Sequence, residues 1–234
     1  MLNLTLQLKI KQRLNKLDSQ DYDNIEDWQI VEAFNKAQVS WCRRQLVGTN
    51  ILKQGDEQSK RRISDLQILL KHQILTMSNH QTYYESVTLP GDYFEFKRIQ
   101  LMATSECCTD PKPMIAYLVE EANIDLLLRD ELKNPNFEWG ETIMTFLGNK
   151  IRVYTNGLFT VNSVDFYYYR QPVLIEFLGV SNPYTGIASA VDVICEFKDD
   201  IVEVLIDEAA AIIAGDIESF NQYQREQQNA EKDN

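Results

Sequence analysis

Apolar positions recur every third or fourth residue over the first third of the chain, and this spacing predicts helices. Leu6, Ile10, Leu14 and Leu17 share one face of a short basic helix over residues 1 to about 18, readable also as an arm that a partner orders. Ile30, Phe34, Ala37 and Trp41 predict a second helix from about Ile25 to Val47. Its early acids Glu26 and Asp27 and late bases Arg43 and Arg44 suit the helix dipole, and Gly48 ends it. Ile63, Leu66, Leu70, Ile74 and Met77 keep the same period and predict a third helix over 56–77, closing a helical hairpin.

From Thr82 the period shortens towards two. Tyr83 to Leu89 reads as a strand, Pro90-Gly91-Asp92 as a turn, and Tyr93 to Ser105 as helix or extended chain. Met114 to Val119 is expected to be a strand, followed by a short acidic helix from Glu120 to Glu131. Thr142–Phe146, Ile151–Thr155, Phe159–Val161 and Val164–Tyr169 complete a sheet that Gln171-Pro172 ends. Asn156-Gly157 tolerates positive φ, so the strands on either side of it are expected to fold back on each other as a hairpin. Residues 178–194 read as loop. A last helix of roughly 30 residues, about 45 Å long, is expected from Lys198 to Gln228, with Ile201, Leu205, Ala209, Ile212, Ile213, Ile217 and Phe220 as its stripe. The polar run after Phe220 reads as a tail that a partner orders.

The expected fold class is α+β, a helical bundle of N-terminal helices plus the long C-terminal helix, with an inserted small antiparallel β-domain. The expected division is an N-terminal arm (1–20), the bundle (21–80 and 197–228), a β-rich domain (81–196) and a flexible tail (229–234).

Composition changes this picture little. The chain of 234 residues is 44% hydrophobic and 25% charged, as a globular protein is. Its net charge of -12 argues against wrapping nucleic acid through neutralised phosphates, a mode that needs clustered Lys and Arg. Lys60-Arg61-Arg62 is flanked by Asp56, Glu57 and Asp65 and reads as a solvated face. The N-terminus lacks the continuous apolar core of a signal peptide, and no run is long and apolar enough to span a membrane, so cytoplasmic synthesis is expected.

Chemistry is sparse. Cys42, Cys107, Cys108 and Cys195 form no C-x-x-C pair, and the two histidines, His72 and His80, lie far from them in sequence. Phosphate-loop, dinucleotide, nucleophile-elbow and zinc-protease motifs are all missing. No catalytic, cofactor-binding or metal-binding residue is therefore assigned. Acids such as Asp125, Glu138 and Glu141 would suit a metal-dependent hydrolase, but 35 acids produce such groupings by chance. Phe166-Tyr167-Tyr168-Tyr169 would put at most two rings on one face of a strand, as core, subunit interface or a glycan- or peptide-stacking platform.

Four stretches together resemble the head-to-tail connector proteins of tailed bacteriophages, most closely the ring proteins of crAss-like short-tailed phages. They are Leu89-Pro90-Gly91-Asp92-Tyr93-Phe94 with Arg98 following, Val153-Tyr154-Thr155-Asn156-Gly157, Tyr168-Tyr169-Arg170-Gln171-Pro172, and Phe197-Lys198-Asp199-Asp200 leading to Ala209-Ala210-Ala211. The likeness covers residues 22 to 228. It implies a non-enzymatic virion protein of the particle neck. Twelve copies would form a ring beneath the portal protein, contact neighbouring ring or tail proteins, and line a channel through which DNA passes without specific binding. The resemblance implies neither a cofactor nor a membrane.

Overall fold

The computed structural model describes residues 1–14, 25–47, 64–216 and 228. The chain divides into two compact units, one of Met1–Ile68 with Pro172–Asn234 and one of Leu69–Gln171. The expected basic triplet Lys60-Arg61-Arg62 lies outside the described residues, as does the polar tail apart from Gln228.

In the first unit, helices α1 (Asn3–Leu14) and α2 (Asp27–Val47) both pack on α4 (Asp199–Asp216). Leu6, Ile10 and Leu14 are the buried stripe of α1, one helical turn apart. Helix α2 buries Ile30, Phe34, Ala37 and Trp41 as the period requires. Helix α4 is buried over most of its circumference, from Ile201 and Val202 to Ala214, because it meets a helix on two sides. Its acids face the bases of its neighbours: Lys9 pairs with Glu203, Arg13 with Asp207 at 2.6 Å, and Arg44 with Glu208.

The segment between Pro172 and Lys198 has little regular structure, and amide side chains hold its backbone instead. Asn35, fully buried on α2, donates to the Ile175 carbonyl at 3.2 Å and accepts from the Ile175 N–H at 2.8 Å. Gln38 donates to the Val173 carbonyl at 2.9 Å. Asn3 on α1 donates to the carbonyls of Glu176 and Val193, each at 3.0 Å. These contacts satisfy backbone groups that helix or sheet would otherwise satisfy.

The second unit is an eight-stranded sheet in the order β1-β8-β4-β5-β6-β7-β3-β2. The strands are β1 (Leu70–Leu75), β2 (Met77–Asn79), β3 (Tyr83–Ser86), β4 (Tyr93–Ser105), β5 (Cys108–Leu118), β6 (Glu141–Leu147), β7 (Lys150–Tyr154) and β8 (Thr160–Arg170). The two ends of the order, β1 and β2, are separated by Thr76 alone. One stretch of chain thus pairs with β8 through its first half and with β3 through its second, and the sheet curls into a nearly closed barrel. Closing the sheet removes free edges.

This architecture corrects the expected helical bundle with an inserted small antiparallel β-domain. The structure is mostly an eight-stranded mixed sheet, nearly closed on itself, with a few helices. The sheet is not purely antiparallel either, because β5 and β6 run parallel.

Two local expectations fail for identifiable reasons. Residues 70–79 are strand, not the end of a helix, and Ile74 points to solvent while Leu75 is buried, so the helical spacing of 63, 66, 70, 74 and 77 is coincidental there. The turn at Asn156-Gly157 forms with both residues at positive φ (51° and 73°), but the strands it joins do not pair. Strand β7 lies between β6 and β3, and β8 between β1 and β4. The turn after β4 is Glu106-Cys107, with Ser105 opposite Cys108, so Thr109-Asp110-Pro111 continues β5. Pro111 and Pro113 are tolerated because β5 meets β6 only from Ile115 onward.

Alternation sets the interior. Ile99, Leu101, Met114, Met144, Ile151, Val153, Val164, Phe166 and Tyr168 are buried in one cluster. Aromatic rings run through it, with Phe166 and Tyr168 centroids 5.1 Å apart, Tyr93 and Phe166 5.8 Å, and Phe96 and Phe146 5.7 Å. On the outer face, the short helix α3 (Ile124–Arg129) covers part of the sheet through Ile124, Leu127 and Leu128 against Ile143, Tyr154 and Tyr83.

Candidate functional site

The run Phe166-Tyr167-Tyr168-Tyr169 divides as a strand must. Phe166 and Tyr168 are buried inside, whereas Tyr167 and Tyr169 face outward. Register then decides what the outward rings meet. Tyr167 lies opposite His72 on β1 and Arg98 on β4. The three side chains stack into a ladder across three strands. The Arg98 guanidinium sits 4.3 Å from the Tyr167 ring centroid, and the Tyr167 and His72 centroids are 4.7 Å apart. Asp165 fixes the far end, its carboxylate 2.8 Å from His72 Nε2. One step along β8, Lys97 lies 5.8 Å from the centroid of Tyr169.

Lys97 and Arg98 follow each other in sequence yet both are exposed, because the register shifts between Phe96 and Arg98. The bulge lifts two cations onto two tyrosine rings. Among the described residues, neither cation forms an ion pair with a carboxylate. Each ring contact is worth about 0.5–1 kcal/mol at an exposed site. Sequence reasoning singled out the tyrosines, and named Arg98 only within the resemblance, but did not place His72, Lys97 or Arg98 against the rings. The available signal was the Lys-Arg pair within a strand that pairs with an aromatic strand.

Beside this ladder, Asp92 anchors the start of β4. It accepts from the Tyr168 hydroxyl at 2.8 Å and from Lys71 at 2.5 Å. Lys71 holds the Asp92 carboxyl below its ordinary pKa, and the Tyr168 hydroxyl adds to that effect. Burial, together with the neighbouring carboxylate, pushes the Tyr168 phenol up to about 12.

The other outer wall carries a different chemistry. Glu85 accepts from Lys150 and Arg152, each at 3.1 Å, and both hold its carboxyl below the usual range. Arg152 also reaches Glu121 at 3.4 Å, where the Tyr154 hydroxyl donates as well. Residues 120–141 hold seven acids and two bases. Leu126, Leu132 and Trp139 stand out from this acidic stretch at 69%, 75% and 59% exposure.

The acids singled out as hydrolase candidates are placed as follows. Asp125 is exposed on α3, Glu138 is exposed in the turn before β6, and Glu141 opens β6 and accepts from Tyr117 at 3.2 Å. Among the described residues no group of three or more His, Cys, Asp or Glu side chains is arranged to hold a metal ion. Cys107 and Cys108 are exposed at the β4–β5 turn, and Cys42 and Cys195 are buried, with burial raising their thiols to about 12 and about 11. Buried thiols held protonated are poor nucleophiles. No described helix is long and apolar enough to cross a membrane.

No family model matches the chain, and no curated protein matches it significantly.

Proposed function

We propose that this protein is a structural component of a bacteriophage neck, a connector ring that joins the portal to the tail. One observation carries the reading furthest: two of the four stretches behind the resemblance to phage connectors meet in space. Asp92 of Leu89-Pro90-Gly91-Asp92 accepts from Tyr168 of Tyr168-Tyr169-Arg170-Gln171-Pro172, and the Gln171 N–H donates to the Asp92 carbonyl at 2.8 Å. The motif residues thus form one structural unit where β4 begins and β8 ends.

The surface supports the same reading. Half-buried Tyr167 and Tyr169, exposed Arg98 and exposed large apolar side chains such as Leu126, Leu132 and Trp139 are residue types that protein interfaces favour. The net charge of -12 suits a channel that lets a polyanion slide past without adhering. Twelve copies, contact with portal and tail proteins, and residence at the particle neck all follow from the resemblance.

The test is electron microscopy of the purified chain mixed with portal-bearing particles. A collar of repeated subunits at the portal vertex is expected. Particles that leave the chain in solution would overturn the proposal.

A second reading has one observation in its favour. Tyr167 and Tyr169 form an outward aromatic pair that suits a glycan or an extended peptide. Saturable binding on a glycan array, lost on Tyr167→Ala and Tyr169→Ala, would favour it, and Tyr168 is unsuited to that test because it is buried.

A further inference from the structure

We propose that the barrel's ladder wall, built on β1, β8 and β4, docks on the acidic wall around α3 of a second copy of this chain. The inference rests on the connector reading for its biological setting and on charge complementarity for its surfaces.

The two walls are different and complementary. On the first, Lys97 and Arg98 are raised on Tyr169 and Tyr167 with no carboxylate partner among the described residues, and Ile74 beside them is 63% exposed. On the second, Asp125 and Glu131 are exposed beside Leu126 and Leu132. In the strand order, β8 and β4 are separated from β6 and β7, the strands under α3, by about half the circuit of the sheet. A copy therefore presents one wall to each side. It cannot satisfy its own cations with its own α3 acids.

Two unlike surfaces that fit each other generate a head-to-tail contact, and such contacts propagate until the ring closes. Each wall also combines apolar or aromatic side chains with charged ones, as protein interfaces do. Arg98 stacked on Tyr167 is preorganised, so little side-chain freedom remains to be lost when a carboxylate arrives.

Nucleic acid is the competing occupant, since stacked rings with cations also suit bases and phosphates. The same wall, however, carries Asp92, Glu95 and Asp165, and the chain as a whole is strongly acidic. Discrete cations among acids fit discrete carboxylates better than a continuous run of phosphates.

The experiment uses the full chain, two variants and portal-bearing particles. The first variant combines Lys97→Glu with Arg98→Glu, and the second combines Asp125→Lys with Glu131→Lys. All four residues are exposed, so folding should survive, which circular dichroism checks. Sedimentation velocity, alone and with particles, reads assembly. Each variant is expected to weaken self-association by at least about tenfold. An equal mixture of the two is expected to restore it, because every reversed wall then meets a reversed complement.

Undiminished assembly of either variant, or failure of the mixture to recover, would overturn the surface assignment while leaving the connector reading intact, provided the unmodified chain binds the particles. If the unmodified chain neither self-associates nor binds particles, both fall. Loss of fluorescent DNA oligonucleotide binding by the first variant, with assembly unchanged, would reassign the wall to nucleic acid.

Discussion

Tyr168 donates its hydroxyl proton to Asp92 across 2.8 Å, joining residues 76 apart in sequence. Tyr168 is 2% exposed, so its ring belongs to the core while its oxygen reaches the rim. Such a bond to a charged acceptor is worth about 1.5–3 kcal/mol. Tyr168→Phe should therefore lower stability by an amount within that span, and Asp92→Ala should cost at least as much because it leaves the Tyr168 hydroxyl without its acceptor. Urea unfolding monitored by circular dichroism measures both. Equal stability of Tyr168→Phe and the parent would show the bond to be inconsequential.

The same pair predicts a pH response with two limits. The Asp92 carboxyl is held below its ordinary value of 3.8, so its contribution is present above that value and is lost as the solution is acidified through the lower, folded value. The phenols of Tyr93 and Tyr168 are raised from 10.0 to about 12, chiefly by burial. Their neutral forms favour the fold, so that contribution is complete below pH 10 and disappears between 10 and about 12. Ultraviolet titration of tyrosine should show late-titrating groups, Tyr93 and Tyr168 among them, that ionise together with unfolding. In Tyr168→Phe one of them should vanish.

Asn35 does for the Ile175 backbone what a neighbouring strand would do, matching both its N–H and its carbonyl. Asn35→Ala leaves two buried backbone groups without partners. At roughly 1–3 kcal/mol for each unsatisfied group, the loss should exceed that of Gln38→Ala, which removes the Gln38 bond to the Val173 carbonyl. Hydrogen exchange at Ile175 should accelerate in the first variant. Unchanged exchange would mean that the segment is held by something other than this amide.

Helix α1 presents bases to α4, which invites the conclusion that charge holds it there. Magnitudes say otherwise. Leu6, Ile10 and Leu14 are at most 1% exposed, and each contributes about 1.5–3 kcal/mol by burial. The Lys9–Glu203 pair is partly solvated and is worth about 0–1 kcal/mol, and in the more buried Arg13–Asp207 pair the loss of hydration offsets much of the attraction. Amide protection in α1 should survive molar salt and collapse in Ile10→Asp. Loss of protection in salt alone would reverse the ranking.

Burial raises the Glu208 carboxyl on α4 above its ordinary value of 4.5, although Arg44 pulls it down. Glu208 thus contributes most to stability when protonated, below 4.5, and that contribution fades as pH rises through its higher folded value. Arg44→Ala removes the compensating cation and should destabilise at neutral pH, by less than the ~3–5 kcal/mol of a fully buried pair, because Arg44 is itself 37% exposed. The deficit should shrink on mild acidification. A deficit independent of pH would show that Arg44 acts through packing.

Local signals were legible and partner choice was not. Asn156 and Gly157 take the positive φ expected of them, yet β7 and β8 pair elsewhere, since a turn dictates direction and distant strands decide neighbours. Ile74 and Met77 fit a helical period, but the segment is needed to join β8 to β3, and closing the sheet outweighs a weak local preference. Alternation alone put at most two of the four rings on one face, but did not say that Tyr167 and Tyr169 are the outward pair. The placing of His72, Lys97 and Arg98 was not legible either, because they reach Tyr167 and Tyr169 through cross-strand register and a bulge, neither of which a single sequence displays.

The most direct test of the connector assignment is the composition and map of the purified particle. Mass spectrometry of intact virions should find this polypeptide, and averaging of the neck should place a ring of its barrel and helices between portal and tail. Virions that contain a complete neck and none of this chain would contradict the account.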